Sequence, residues 1–235
     1  LFFSVIIPSY NASAVLGNNL PALLSYLKGK DMDFEVIIVD DGSQDAADTE
    51  AIAGKYNCTY LKNETNLGKG GAVRRGMLAA KGEYRFFTDA DIPFEFDAFD
   101  RFLNCFEKNQ ADLVIGDRNM VESSYFEKIP LGRRIGSKVF SAIVGGNFDT
   151  QCGMKAFRGT VAEEIFKVSR INSFAFDVEL LSIALARKYN IRSCYVQIRS
   201  QEGSSVNMLR HAFGMLKDIT RIKFNCWFKR YRIQS

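Results

Sequence analysis

A single histidine, His211, is the only imidazole in 235 residues. The body of the chain therefore lacks the material for a His-rich metal site or a His-dependent proton relay. The five cysteines, Cys58, Cys105, Cys152, Cys194 and Cys226, are odd in number, widely spaced and form no CxxC pair. This argues against a disulfide framework or a cysteine zinc site and fits reduced thiols in a cytoplasmic setting. No apolar run reaches the ~18 to 20 residues needed to cross a bilayer. Internal repeats, low-complexity tracts and Pro/Gly-rich linkers are missing too, so one large domain is expected. The opening LFFSVIIP has no basic n-region and no cleavage site and reads as a strand rather than a signal peptide. With no initiator methionine, the sequence reads as a trimmed chain whose flanking segments, membrane spans included, stay open.

What is present can fill a core: 47% of residues are apolar and 13% aromatic. The formal charge of +4 is unevenly distributed. From Met208 onward there are seven basic residues (Arg210, Lys217, Arg221, Lys223, Lys229, Arg230 and Arg232) and one acid, Asp218, a net of +6. Residues 1–207 hold 24 basic and 26 acidic groups, a net of −2. A slightly acidic body argues against a nucleic-acid-binding surface spread over the whole chain. The chain therefore divides into a body, 1–207, and a basic end, 208–235, within one structural unit.

The body alternates strand-like and helix-like segments. Phe3 to Ile7 is a β-branched run ending at Pro8, as in a strand buried on both faces. Leu16, Leu20, Leu23, Leu24 and Leu27 follow at helical spacing. A second buried strand, Phe34 to Val39, runs into DDGSQD, whose Gly42 and Ser43 suggest a turn and a helix cap. A helix over 47–56, a strand over 59–62, a helix over 70–80 and a strand over 84–88 continue the order. A helix over 96–108 and a strand over 113–116 come next. This order predicts an α/β fold with a largely parallel sheet covered by helices. The pattern then loosens: a loop and a helix over 133–144, a strand-like piece over 152–157, a helix from Glu163, a helix over 178–188 and a strand over 193–198.

Ligands of open α/β sheets bind beyond the carboxyl ends of the strands. Three polar clusters stand there: PSYN (8–11), VDDGSQD (39–45) and TDAD (88–91). Asp89 and Asp91 are hard oxygen ligands suited to Mg²⁺ or Mn²⁺, which takes one or two carboxylates and completes its shell with phosphates and water. Asn66 to Ala72, NLGKGGA, is a glycine-rich turn opening a helix. Its glycines permit close backbone approach, the helix start favours an anion, and Lys69 adds a charge. The stretch lacks P-loop spacing, and no GxGxxG follows the first strand, so neither mononucleotide nor dinucleotide fingerprint is present.

PSYN, VDDGS, NLGKGGA and TDAD, in that order, resemble the inverting nucleotide-sugar glycosyltransferases of family 2, with the GT-A fold. GDR (116–118), SSYFEK (123–128), DTQCGMKAF (149–157), FAFDVELL (174–181) and EGSSV (202–206) are similar to their dolichyl-phosphate β-glucosyltransferase subgroup. The resemblance runs over nearly the whole chain. It implies that Pro8, Tyr10 and Asp40 hold the nucleoside, that Asp41 supports the loop, and that Lys69 lies near the nucleotide. It implies that Asp89 and Asp91 bind metal and diphosphate. Arg118, Arg133 and Arg134 would meet the acceptor's phosphate, for which the guanidinium fork is suited. Asp177 is expected in the catalytic set with Arg118 and Arg134. Many family members use an acid there as general base, whereas a lipid phosphate, with a second pKa near ~6, is already largely ionised, leaving Asp177 to orient sugar or acceptor. On a helix Asp177 and Glu179 point to different faces, so Glu179 is as well read as structural. Asp149 reads either as a sugar contact or as a turn residue, and Gln151 receives no role. Pro93 departs from some related mannosyltransferases, which have a polar metal ligand there, and puts a third protein ligand in doubt.

In the basic end, Leu209, Ala212, Phe213, Leu216, Ile219 and Ile222 recur at helical spacing among Arg210, Lys217, Arg221 and Lys223, with Trp227, Phe228 and Tyr231 after them. Such a helix either lies in an anionic membrane interface or packs on the body with a solvated basic face. The expectation is a metal-dependent hexosyltransferase, peripheral on the cytoplasmic face of a membrane, moving glucose from UDP-glucose onto a polyprenyl or dolichyl phosphate, with no nucleic-acid partner. The alternatives are GDP-mannose or another donor, a glycan acceptor, or a non-catalytic nucleotide-sugar-binding protein.

Overall fold

A computed structural model describes residues 2–30, 32–118, 120, 149, 152–199, 208–228 and 230–231, with the backbone alone over 208–216. The elements run β1 (Phe2–Ser9), α1 (Ser13–Lys28), β2 (Asp33–Asp40), α2 (Ala46–Lys55), β3 (Thr59–Lys62), α3 (Lys69–Ala79) and β4 (Tyr84–Phe87). They continue with α4 (Asp97–Lys108), β5 (Leu113–Asp117), β6 (Lys155–Arg158), α5 (Gly159–Val168), α6 (Phe176–Ala186), β7 (Ile191–Tyr195) and α7 (Met208–Trp227). Arg133, Arg134, Gln151, the helix expected over 133–144, and the SSYFEK and EGSSV motifs lie outside the described residues.

The strands form one sheet in the order β3-β2-β1-β4-β6-β5-β7, parallel except for β6, which runs antiparallel to both β4 and β5. The largely parallel sheet expected from the alternating pattern is what forms. Side chains of alternate strand residues supply two cores. Phe3, Val5, Ile7, Val36, Ile38 and Phe86 pack with α1 and α4 on one face, and Ile6, Ile37, Val39, Phe87, Ile115 and Phe157 pack with α3, α5 and α6 on the other. Successive strands are added outward from β1 to β2 and β3 and then on the other side of β1 at β4, so the parallel strands β2, β1 and β4 bring their carboxyl ends together at the switch point where such sheets bind ligands.

Several boundaries differ from the sequence expectation for identifiable reasons. β1 continues through Pro8 to Ser9. Ile6 turns its carbonyl toward β4, where Thr88 N donates to it at 3.1 Å, and Pro8 turns the same way beyond the last β1–β4 pair. The missing N–H of Pro8 therefore falls where there is no ladder to complete. β6 starts at Lys155, because Cys152 to Met154 form a turn, and α5 starts at Gly159, directly after the strand. β7 starts two residues and ends three residues earlier than expected, and Ile198 makes only an isolated bridge to Phe94. Ser43 is not the cap of α2. Asp45 precedes that helix, and Ser43 Oγ instead accepts from Asn11 N at 3.0 Å. With Gln44 N donating to Asn11 Oδ1 at 2.8 Å and Ser13 N donating to Asp45 at 2.9 Å, the loops after β1 and β2 are latched together.

Candidate active site

The latched loops and the end of β4 hold the first group of polar atoms. Asp40, fully buried at the end of β2, accepts from Gly42 N (3.1 Å) and Ser43 N (3.0 Å) through Oδ1. Its Oδ2 is buried without a hydrogen-bond partner, as are Ser9 Oγ at the end of β1 and Thr88 Oγ1 just past β4. Leaving a buried polar atom unpaired costs about 1–3 kcal/mol. Three of them at adjacent strand ends describe a surface shaped for a polar ligand. Ser9 and Thr88 received no role from the sequence, where a strand-end hydroxyl carries no distinguishing signal. Tyr10, half exposed, stands beside them, and Pro8 is part of β1.

Asp41 holds the glycine-rich turn. Its carboxylate accepts from Asn63 Nδ2 (2.7 Å), Leu67 N (3.0 Å) and Gly68 N (2.8 Å). One of the chain's own carboxylates thus sits just before the start of α3, held by the N–H groups of Leu67 and Gly68. The close approach at the glycines is also internal. A Cβ on Gly68, whose φ is +94°, would lie 2.6 Å from Asn172 O, and one on Gly70 would lie 2.6 Å from Ile171 O and Phe176 Cβ. Gly70 N donates to Asn172 O at 2.8 Å, so the turn is a seat for the 171–176 segment that leads into α6.

Lys69 leaves this turn to pair with Asp89 Oδ1. Burial works against its charged form, but Asp89, Asp177 and Asp91 together overcome that, and its pKa is raised. The surrounding carboxylates hold it as a cation. The backbone beside the acidic pair is unusual: Ile92 has φ +42°, a region that β-branched residues avoid, and its N–H donates to Asp89 O at 3.0 Å. Gly153 closes the other side. A Cβ there would fall 2.2 Å from Asp89 Oδ2, so a side chain would fill the space that this carboxylate occupies.

Asp177, in the first turn of α6, faces this cluster and pairs with Lys155 Nζ at 2.6 Å. Burial pushes its carboxyl up, Lys155 and Lys69 pull it back, and the net direction is upward. Arg118 and Asp149 meet in a two-point pair, Nε to Oδ2 at 2.7 Å and Nη2 to Oδ1 at 2.9 Å. Both Asp149 oxygens are therefore engaged by Arg118, and the Asp149 carbonyl accepts from Cys152 N at 3.1 Å in the following turn. Glu179 is buried on another side of α6. It accepts from Arg170 N (2.9 Å), Ile171 N (2.8 Å) and Tyr231 OH (2.8 Å), a structural arrangement. The structure brings Asp40, Lys69, Asp89, Asp91 and Asp177 to one end of the sheet. Lys155 was missed, although a lysine between Met154 and Ala156 in an apolar strand is itself a signal.

The carboxylate pair fits a divalent ion. Mg²⁺ and Mn²⁺ need only one or two protein carboxylates when phosphates supply the other oxygens, and among the described residues no cluster of three or more His, Cys, Asp or Glu side chains offers a closed protein site. Residues 4–166 match the family model described as glycosyl transferase family 2. The chain belongs to that family. Along its full length the glycosyltransferase is 36% identical to the dolichyl-phosphate β-glucosyltransferase of Dictyostelium discoideum and spans 78% of that protein. It is 32% identical to the one of Homo sapiens, over 99% of this chain and 78% of the relative. The fold matches glucosyl-3-phosphoglycerate synthase from Mycobacterium tuberculosis in complex with Mn²⁺, UDP and phosphoglyceric acid, with TM-score 0.67 and 17% identity, over all of this chain and 80% of that one. The glycosyltransferase thus has the expected GT-A fold, with its motif carboxylates at the switch point.

Proposed function

We propose that this glycosyltransferase moves glucose from UDP-glucose onto dolichyl or a related polyprenyl phosphate, using Mg²⁺ or Mn²⁺, at the cytoplasmic face of a membrane. The observation that carries the reading is the convergence of Asp89, Asp91 and Asp177 around Lys69, next to the unpartnered Ser9, Asp40 and Thr88, in a chain similar throughout to enzymes named for that reaction.

In this reading Asp40, Ser9 and Thr88 bind the nucleoside, and Tyr10 offers an exposed ring to the base. Asp89 and Asp91 would hold the ion, which when bound neutralises charge on the diphosphate leaving group. Lys69 adds a second positive charge at the same place. The lipid phosphate, with a second pKa near ~6, arrives ionised and attacks the anomeric carbon from the face opposite UDP. Asp177 then orients sugar or acceptor, and Arg118, preset by Asp149, meets the acceptor phosphate. Arg133 and Arg134 are proposed for the same phosphate.

The membrane part rests on α7. Ile219, Ile222 and Tyr231 are buried against the body, which removes Tyr231 from the aromatic surface expected of this end. Residues three and four apart share a helix face, and a different set, Phe224, Trp227 and Phe228, is exposed beside Lys223 and Arg230. One face of this end packs on the body, and in this reading the other, exposed face meets an anionic surface with its aromatics and cations. Among the described residues no helix is long and apolar enough to cross a membrane.

The test supplies vesicles containing dolichyl phosphate with radiolabelled UDP-glucose, GDP-mannose or UDP-N-acetylglucosamine. Label should enter the lipid fraction from UDP-glucose, and chelation should stop it. Label from GDP-mannose alone would reassign the donor, and label from none would remove the proposal.

A further inference from the structure

Lys155 is the most deeply buried cation of the site, with none of its side chain exposed. It lies on β6 opposite Phe87 on one side and Ile115 on the other, and its ammonium lies 5.5 Å from the centre of the Phe87 ring. A buried ion pair contributes little net stability, and an apolar pair of similar volume often serves the fold as well or better. A lysine here therefore asks for a reason beyond packing.

Its contacts supply one. Nζ donates to Asp177 Oδ1 at 2.6 Å and to Cys152 O at 2.7 Å. Cys152 begins the turn whose Gly153 packs against Asp89, so closely that a Cβ would lie 2.2 Å from Oδ2. The turn is pinned at its other points as well: Gly116 N donates to Met154 O at 2.9 Å, and Cys152 N to Asp149 O at 3.1 Å. One ammonium thus ties the carboxylate at the start of α6 to the turn that backs the carboxylate at the end of β4.

We propose that Lys155 is a positioning residue that fixes the spacing between Asp177 on the acceptor side and Asp89 on the donor side, through the Cys152–Met154 turn. The inference deepens the proposed function and rests on it for the roles of the two carboxylates. Fully buried, Lys155 acts through its neighbours and not on the substrate. Outer residues that orient metal ligands typically govern metal affinity by about 10–100-fold, and misplacing a reacting group by about 1 Å costs about 10²-fold in rate.

The test uses Lys155→Met in the full chain beside the wild type. Mn²⁺ affinity in the presence of UDP, followed by the electron paramagnetic resonance signal of free Mn²⁺, should fall by about 10-fold or more. UDP affinity without metal should stay unchanged. Turnover from UDP-glucose to dolichyl phosphate should fall by about 10²-fold, mainly in kcat. A residue serving the fold alone would lower the fraction of binding-competent protein and leave the affinity of that fraction intact. Unchanged Mn²⁺ affinity with kcat falling only as the folded fraction falls would overturn the proposal. If Lys155→Met does not fold, the double variant Lys155→Met/Asp177→Leu replaces the ion pair by an apolar one and should recover the melting temperature. The same Mn²⁺ titration then decides, because the turn still lacks its ammonium, and wild-type affinity in the double variant would overturn the proposal. If the wild type binds Mn²⁺ and UDP but transfers no glucose, the proposed function falls while the titration still judges Lys155. If it binds neither, both readings fall.

Discussion

At the ends of β1, β2 and β4, Ser9, Asp40 and Thr88 each bury a polar atom without a partner, whereas around β5, β6 and α6 the buried charges are matched within the protein. Arg118 is paired with Asp149, Lys155 with Asp177, and Glu179 accepts two backbone N–H groups and a tyrosine hydroxyl. Unpartnered buried groups are tolerated where a ligand completes them, and in the proposed function the donor substrate is the ligand that completes the first region. Matched buried charges cost more to separate than they contribute as pairs, so the second region is built to hold its own geometry. Removing a side chain from the first should impair binding and turnover with little effect on folding. Removing one from the second should affect both.

The largest effect is expected at Asp89. Asp89→Asn removes a charge from the candidate metal pair and leaves Lys69 without its partner. A fall in kcat/KM of roughly 10³-fold is expected, the size seen when charge stabilisation at a leaving group is lost, with a melting temperature near that of the wild type. Retention of more than a tenth of the activity would assign the diphosphate to other residues.

The difference between the regions also explains what could be read without the structure. Phe3 to Ile7 and Phe34 to Val39 are largely apolar runs, broken only by Ser4 and Glu35, because parallel strands are buried on both faces, and they end at Pro8 and at Asp40. Fold class, the succession of strands and helices along the chain up to β4, and the placing of Asp40, Asp89 and Asp91 at strand ends follow from that pattern. In the second region the functional geometry comes from pairs distant in sequence, such as Arg118 with Asp149 and Lys155 with Asp177, and no periodicity encodes a partner. The turn at Cys152 to Met154 read as strand because Cys152 and Met154 are apolar and buried, although Gly153 between them packs against the Asp89 carboxylate. The glycines of NLGKGG read as a ligand seat because sequence cannot tell whether the close neighbour is a phosphate or the backbone of Asn172.

Gly153→Ala lies between the two regions. Its Cβ would meet the far end of Asp89, whose side chain is 35% exposed and would have to yield against its ion pair with Lys69. Displacing that carboxylate should lower kcat/KM by about 10²-fold, while thermal melting changes little because the yielding atom is not in the core. Equal losses of activity and stability would place the turn wholly in the second region.

The lipid and the nucleotide sugar are expected to arrive from different sides, which separates the regions kinetically. Replacing Lys217, Arg221 and Lys223, all exposed on α7, by glutamine should weaken partitioning onto anionic vesicles by about 3 kcal/mol, or roughly 10²-fold, at ~1 kcal/mol per charge. The KM for dolichyl phosphate in vesicles should rise, and that for UDP-glucose should not. Unaltered vesicle binding in a sedimentation assay would leave these charges to the solvent.

The smallest effect separates α7's packing from its surface role. Tyr231→Phe removes the hydroxyl that donates to Glu179 and accepts from Asn225 Nδ2 at 3.2 Å. Hydrogen bonds to charged groups are worth about 1.5–3 kcal/mol, so urea unfolding near neutral pH should show a loss in that range. Burial raises the Glu179 pKa above its ordinary 4.5, while the bonds from Ile171, Tyr231 and Arg170 hold it down in part. A carboxyl raised on folding contributes stability that is fully present below its unfolded value and is lost as pH rises through the folded one. This group should therefore make the wild type more stable as pH falls from neutral toward 4.5. Without the tyrosine hydroxyl the folded pKa rises further, so the variant should gain more over the same interval and the gap between the two should narrow. A gap independent of pH would mean that Tyr231 acts through packing and the Asn225 bond, and that Glu179 is not the group through which the C-terminal helix holds α6.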